Sequence, residues 1–184
     1  MAHKATANGN DSSSSTTVAT SAGVNTAVGD LLVVMVTGQE GGTINSVTDT
    51  AGNTYSSLTA ETTFALAQIW YTIATSANAS NIVTATFASA VRYKVISIEL
   101  WDGMASSGTL LAQNTGVDAG VTVVTSGNLV TSDPGVAFFV CIATNDRSWT
   151  PGGGATEVYD STASLGGYSH GSAYLAGISA GTTT

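Results

Sequence analysis

The chain has 184 residues and a formal net charge of −8, and 43% of its residues are apolar. Charged residues make up only 9%, against roughly 25% in an average soluble domain. Thr, Ser, Gly and Asn therefore supply most of the polar positions. Four scattered basic residues cannot form a basic patch, which argues against direct binding to nucleic acid or to an anionic membrane surface.

The N-terminal residues 1–15 are polar and include a run of four serines. They hold too few apolar side chains to offset ~1–2 kcal/mol of backbone entropy per residue. We therefore expect a flexible polar arm over residues 1–15, followed by a single β-sandwich domain over residues 16–184.

Targeting signals are not evident in the sequence. The first residues lack the apolar segment of a secretory signal, and no apolar stretch reaches the ~18 residues needed to span a bilayer. We expect a protein that is made in a cytoplasm, is not exported by the general route and does not insert into a membrane.

From residue 16 onward the pattern is that of short β-strands. Apolar or β-branched segments are bounded by Gly, Asn, Asp, Ser or Pro, and no sustained helical periodicity interrupts them. This pattern predicts an all-β fold, an antiparallel β-sandwich of the jelly-roll or immunoglobulin-like type, with about ten strands and no long helix. The predicted strands span residues 16–20, 30–38, 44–49, 54–61, 64–74, 81–88, 93–101, 120–126, 135–144, 156–160 and 172–179.

The segment VTDTAGNTY, residues 47–55, interrupts a β-branched run with a turn-forming sequence. A calcium loop needs several converging oxygen ligands, usually two or more carboxylates, whereas this segment offers Asp49 and the amide of Asn53. Gly52 suits a position where φ must be positive. The segment is predicted to be a hairpin turn rather than a metal loop.

Two segments, 30–36 and 135–142, are apolar on both alternating faces. Such strands are typical of the centre of a sheet that is covered on both sides. The second side would be covered by a loop, the arm or another subunit. The residues expected to be largely buried are Val33, Met35, Phe139 and Cys141.

The segment 93–101 alternates between two faces and raises two chemical alternatives. Glu99 with Asp102 could supply the carboxylate pair of a glycosidase, but a solvated strand end is the favoured interpretation. Lys94, which alternates with Ile96, could form an isopeptide crosslink to an Asn or Asp side chain. Exposure of its amine by snorkelling is favoured, and an intact mass lower by one water or ammonia would support the crosslink.

Catalytic and metal-binding residue types are scarce. The two histidines are His3, which lies in the predicted arm, and His170, which lies in the loop-like sequence LGGYSHGS. One cysteine and two histidines fall short of a zinc site, and no nucleophile has an evident base. We predict a non-enzymatic protein with no catalytic residues, no metal and no cofactor.

Loop aromatics give the only candidate site. Trp149, Tyr159 and Tyr168 fall in or near polar, glycine-rich segments, and His170 follows closely. These four residues are predicted to form a surface for a partner protein or a glycan. Tucking of the loops into an end of the sandwich remains an equal alternative.

The ordered elements GDLLVVMVTG, INSVTDTAGNTY, QIWYTIA, NIVTATF and VRYKVISIELWDG, with GVAFFVCIAT in the second half, resemble a family of β-sandwich domains common in bacterial surface and bacteriophage proteins. The resemblance covers residues 16 to about 145. It implies an immunoglobulin-like or jelly-roll sandwich, and it does not imply one function, since such domains occur on many proteins.

The favoured functional hypothesis is a virion structural protein: a bacteriophage head-decoration or outer capsid (cement) protein, or a tail component. It would act through contacts with other copies of itself and/or a major capsid or tail protein, and it would be located in the virion. The alternative is a carbohydrate-binding or adhesive module of a tail fibre or a bacterial cell surface, with glycans as partners.

Overall fold

The computed structural model describes residues 2–39, 42–63, 65–102, 129–131, 135–144, 148–161, 168–178 and 181–183. These ranges contain β-strands and no helix, which confirms the predicted all-β class. The predicted strand 120–126 lies outside the described residues. The strands are β1 (Ala2–Asp11), β2 (Ser15–Ala19), β3 (Val24–Thr26), β4 (Leu31–Gly38), β5 (Ile44–Asp49), β6 (Ser56–Ser57), β7 (Leu66–Ile73), β8 (Asn78–Asn81), β9 (Val83–Val91), β10 (Lys94–Asp102), β11 (Leu129–Thr131), β12 (Gly135–Thr144), β13 (Thr156–Ser161), β14 (Tyr168–Ile178) and β15 (Gly181–Thr183).

The strands form antiparallel sheets that pack in layers. A five-stranded sheet in the order β1-β10-β4-β7-β6 lies in the middle and is called the central sheet. The front sheet, β2-β9-β5, packs on one side of it, and the back sheet, β12-β14-β13, packs on the other. Two strand pairs, β3-β8 and β11-β15, complete the described elements. The central and front sheets form the predicted antiparallel sandwich, and the back sheet adds a third layer.

Strand β4 explains the layering, because every one of its residues is buried. Leu32, Val34 and Val36 belong to the apolar core shared with the front sheet. Val33 and Met35 belong to the core shared with the back sheet, so their predicted burial is confirmed. Each such side chain contributes about 1.5–3 kcal/mol when it is withdrawn from water.

Strand β12 belongs to the back sheet. Among the described residues it pairs with β14 alone, so the central position predicted for it stays a prediction. Val136, Phe138 and Val140 pack against the central sheet, while Phe139 and Cys141 alternate to the other face, which also carries the buried Ala137. Phe139 and Cys141 are partly buried, less so than Val33 and Met35.

The predicted flexible arm is also wrong for most of its length. Residues 2–11 form β1, which pairs along its length with β10 and makes an edge of the central sheet. The segment buries few apolar side chains, as expected from its composition, with Ala7 and Gly9 its buried residues. Backbone hydrogen bonds to the buried strand β10, rather than burial of its own side chains, hold this polar strand in the sheet.

The VTDTAGNTY segment is a turn with Gly52 at a φ of 81°, but it is not a hairpin. It leaves β5 in the front sheet and enters β6 in the central sheet, so it is a corner between two layers. The Asp49 carboxylate accepts hydrogen bonds from the Asn53 backbone N–H (2.9 Å), from Asn53 Nδ2 (2.8 Å), from Tyr55 Oη (2.9 Å) and from Asn81 Nδ2 (2.9 Å). Its oxygens are therefore occupied by protein donors.

Candidate interaction surface

His170 lies in strand β14, between the back and central sheets, and not on a loop surface as predicted. Its Nδ1 is 2.9 Å from Thr37 Oγ1 and its Nε2 is 3.3 Å from Ser97 Oγ, while Ser97 Oγ donates to Ser172 Oγ at 2.9 Å. Burial lowers the pKa of His170 to about 3, so the ring is neutral. Because His170 and Ser97 are fully buried, this Ser–His contact is closed to any substrate in the folded protein, and it joins two sheets.

Glu99 follows Ser97 on the same face of β10 and is fully buried, so the interpretation as a solvated strand end is wrong. Its Oε2 lies 2.7 Å from Nε2 of His3 in β1. Burial raises the pKa of Glu99 to about 8. Asp102 is exposed at the end of the strand, so the two carboxylates do not share a cleft.

Lys94 is also fully buried rather than snorkelling to solvent. Its Nζ donates to the backbone carbonyls of Ser13 (2.9 Å) and Val91 (2.6 Å) and lies 3.1 Å from Asp11 Oδ2. Hydrogen bonds from Ser13 and Ser15, together with Lys94, hold the pKa of Asp11 well below its usual range. The two carbonyls and the carboxylate match the three donors of a lysine amine. The isopeptide crosslink stays a prediction for intact mass to test.

The loop aromatics predicted to form one surface lie on two faces of the back sheet. The ring of Trp149 covers Gly171 on the outer face, where a Cβ on that glycine would lie 2.6 Å from Trp149 Cγ. Its backbone N–H donates to Asp160 Oδ2 at 3.0 Å. Tyr168 and Tyr159 instead contact residues of the central-sheet side. Trp149 and His170 therefore do not share an exposed surface with the two tyrosines.

The two-residue connection between β9 of the front sheet and β10 of the central sheet contains the one non-glycine residue with positive φ among the described residues, Tyr93 at 54°. Gly and Asn adopt a positive φ at little energetic cost. A bulky L-residue in the left-handed region is destabilised by about 1–2 kcal/mol. Strain of this kind is often found at functional positions.

The side chain of Tyr93 faces the back sheet and stacks on Tyr168, with ring centroids 6.0 Å apart and an interplanar angle of 24°. Both tyrosines are half-buried, so part of each ring meets solvent. Arg92, the preceding residue, is exposed. We call Arg92, Tyr93 and Tyr168 the aromatic end.

Tyr159 and Asn10 extend this surface along β13 and β1. Asn10 Nδ2 donates to Tyr159 Oη at 3.4 Å, and Asn10 is exposed while Tyr159 is half-buried. The ring centroid of Tyr159 lies 5.9 Å from that of His170. The buried His170 ring therefore packs beneath Tyr159. We call Tyr159 and Asn10 the rim.

This arrangement can bind a partner. It offers aromatic faces, a phenol, a primary amide and a guanidinium, which suit packing and hydrogen bonding to a partner. Within the described ranges, no three His, Cys, Asp or Glu side chains are placed to hold a metal ion. The same part of the chain contains no helix long and apolar enough to cross a bilayer.

Residue patterns identified Tyr159 and Tyr168 but missed Arg92, Tyr93 and Asn10. The sequence pattern predicts Tyr93 as part of a regular alternating strand. Only Arg92 and Tyr93 separate β9 from β10, and neither is the Gly or Asn that favours a positive φ. That mismatch between a short turn and its residues was the available signal.

Comparisons with known proteins return no relatives. No family model matches the chain, and neither a curated protein nor a solved structure matches it.

Proposed function

We propose that this protein is a non-enzymatic virion structural protein, a bacteriophage head-decoration or outer capsid protein that acts through subunit contacts. The observation that carries the proposal is the aromatic end, where a strained, half-exposed tyrosine is stacked on a second tyrosine beside an exposed arginine. The partners are other copies of this chain and/or a major capsid or tail protein.

The residue types at the aromatic end support this role. Tyr, Trp and Arg are the side chains that most often dominate the binding energy of protein interfaces. A tyrosine pair is already ordered by stacking, so little side-chain entropy is lost when a partner covers it. The backbone strain at Tyr93 supports the same conclusion, because the left-handed position would be filled at lower energetic cost by Asn or Gly.

The composition supports packing in many copies. Only 9% of the residues are charged, and Thr, Ser and Gly dominate the remainder. Neutral hydroxyl-rich surfaces can approach one another without large desolvation of charges. The layered sheets give such a surface a rigid support.

The test compares the full chain with the variant Tyr93→Asn by sedimentation velocity, light scattering and negative-stain microscopy. We expect the wild type to form a defined oligomer or to coat particles, and Tyr93→Asn to weaken that association at least about tenfold. Thr17→Asn, an exposed change in the front sheet, is the matched control and should associate like the wild type. A wild-type chain that stays monomeric and binds no particle would overturn the proposal.

A second candidate is a carbohydrate-binding or adhesive module. The observation in its favour is that the solvent-facing parts of Tyr93 and Tyr168 lie near the Tyr159–Asn10 rim, which combines stacking faces with hydrogen-bonding groups. A glycan array probed with the monomeric chain distinguishes the two. Binding that Tyr93→Asn abolishes, without any self-association of the wild type, would favour the adhesive role.

A further inference from the structure

Strand β10 connects two ends of the molecule that differ in charge. Arg92 and Tyr93 precede its first residue, and Asp102 is its last. Nine residues of extended chain place these ends about 30 Å apart. The two ends can therefore contact different neighbours.

Among the described basic residues, Arg92 alone has no ion-pair partner. Lys4 is paired with Asp30, and Lys94 is buried against Asp11. Arg92 is exposed next to the stacked tyrosines. The aromatic end therefore presents a positive charge that is not paired with any carboxylate in the part of the chain that the structure describes.

The opposite end presents carboxylates and an apolar side chain. Asp102 is exposed there and accepts a hydrogen bond from the Ala2 backbone N–H at 2.8 Å. Glu157 is exposed on β13, next to the residue that pairs with Tyr174, whose ring packs on Trp101. Val28, 67% exposed, lies in the turn that leads into β4 at this end. We call Asp102, Glu157 and Val28 the acidic end.

The other described carboxylates at this end of the sheets are bound by other groups. Glu61, which lies opposite Ala67, accepts the Thr63 backbone N–H at 2.8 Å. Asp11 is held by Lys94 and by two serine hydroxyls. Asp160 lies on the outer face of the back sheet and accepts the Trp149 backbone N–H. The two ends are thus complementary in charge, and each has an apolar or aromatic element beside its charges.

We propose that the aromatic end of one copy docks on the acidic end of a second copy, with Arg92 facing Asp102 and Glu157. This inference rests on the proposed function and names the partner as the same chain in a head-to-tail orientation. The contact is heterologous, since two different surfaces meet, so successive copies form a closed ring or an open row. The aromatic end supplies most of the binding energy, and the charges set the orientation.

The test is charge reversal with the full chain, followed by sedimentation velocity. Arg92→Glu alone, and the pair Asp102→Lys with Glu157→Lys, should each weaken self-association at least about tenfold, because like charges would then face each other. Mixing these two proteins in equal amounts should restore association, since each reversed end then meets a complementary one. Raising the salt concentration should weaken the wild-type contact.

One further variant and one control keep the outcomes separate. Asp102→Asn retains an acceptor for the Ala2 backbone N–H and removes only the charge, so it should weaken association, but less than the charge reversal does. Thr17→Glu, the control, places a new charge on the front sheet, away from both ends, and should associate like the wild type. Each variant is first checked by its thermal midpoint. Self-association that persists after both reversals, or that mixing does not restore, would overturn the head-to-tail contact while leaving the proposed function intact. A monomeric wild type would overturn both.

Discussion

Two corners between the front and central sheets each place a residue in the left-handed region, and they are built in different ways. At the corner between β5 and β6 the residue is Gly52, with a φ of 81°, and the Asp49 carboxylate accepts four hydrogen bonds from Asn53, Tyr55 and Asn81. At the corner between β9 and β10 the residue is Tyr93, with a φ of 54°, and its ring stacks on another half-exposed tyrosine.

The difference separates a turn that stabilises the fold from one that is strained. Gly52 has no Cβ to oppose its conformation, and the groups around Asp49 satisfy one another. Tyr93 occupies a position where a smaller residue would be more stable. A strained residue that keeps its ring at the surface is better explained by what it contacts outside the chain.

The largest effect is expected at the Asp49 corner. Asp49→Ala leaves donors on Asn53, Tyr55 and Asn81 without their acceptor, and should lower the free energy of unfolding by about 3 kcal/mol. Urea denaturation followed by tryptophan fluorescence measures the change. Asp102→Ala, which removes an exposed carboxylate, is the control and should cost less than about 1 kcal/mol. Equal losses of unfolding free energy in the two variants would show that the Asp49 hydrogen bonds stabilise the fold no more than an exposed carboxylate does.

The contribution of the Asp49 corner to the free energy of unfolding should depend on pH. Burial alone would raise the pKa of Asp49, but hydrogen bonds from Asn81, Asn53 and Tyr55 outweigh it and lower the pKa below 3.8. A depressed carboxyl pKa stabilises the fold above the unfolded value, and this contribution is lost as the pH falls below about 3.8. Asp49→Asn should therefore flatten the steepest acid part of the profile.

Two buried groups between the central and back sheets shape the profile at higher pH. Glu99 has a pKa raised from 4.5 to about 8, so stability is lost as the pH rises from 4.5 through 8. His170 has a pKa lowered from 6.5 to about 3, so stability is lost as the pH falls from 6.5 through 3. Each contributes a slope of up to about 1.4 kcal/mol per pH unit.

The two slopes oppose each other between pH 4.5 and 6.5, so maximum stability is expected in that window. Chemical denaturation at a series of pH values measures the profile. Glu99→Gln should flatten the alkaline limb, whereas Tyr93→Asn should leave the shape of the whole profile unchanged. A Glu99→Gln profile that still falls as the pH rises toward 8 would contradict the assignment.

A smaller effect is expected at Gly52. No atom lies within 4 Å of a Cβ built on it, so Gly52→Ala encounters no clash. The substitution should lower the free energy of unfolding by about 1 kcal/mol, because alanine is strained at this positive φ. Gly152→Ala is the control, because that position is also open and its φ is not in the left-handed region. Thermal denaturation of both variants checks the difference.

The alternation of side chains along a strand was sufficient to predict which residues of β10 share a face. The faces of β10 were predicted from the sequence, with Ile96, Ile98 and Leu100 on the front side and Ser97, Glu99 and Trp101 on the back side. Whether the back side meets water could not be predicted, because it depends on a sheet formed more than 30 residues later in the chain.

The same limit applies to the candidate site. The buried ion pair between Lys94 and Asp11 forms because β1 pairs with β10. It could not be predicted, since the polar composition of β1 predicted an unpaired arm. Tyr168 was recognised as a loop aromatic, but its stacking partner Tyr93 comes from a distant corner between two sheets. A positive φ at tyrosine runs against the local preference, so residue pattern alone does not predict it.

The most direct test of the central claim is to measure stability and self-association together for Tyr93→Asn and Tyr168→Ala. Both variants remove the stack, worth about 0.5–1.5 kcal/mol, but only Tyr93→Asn relieves about 1–2 kcal/mol of backbone strain. We predict that Tyr93→Asn keeps or raises the free energy of unfolding while it weakens association at least about tenfold, and that Tyr168→Ala lowers both. A Tyr93→Asn protein that is clearly less stable than the wild type, and that associates normally, would show that the tyrosine serves the fold alone and would contradict the account.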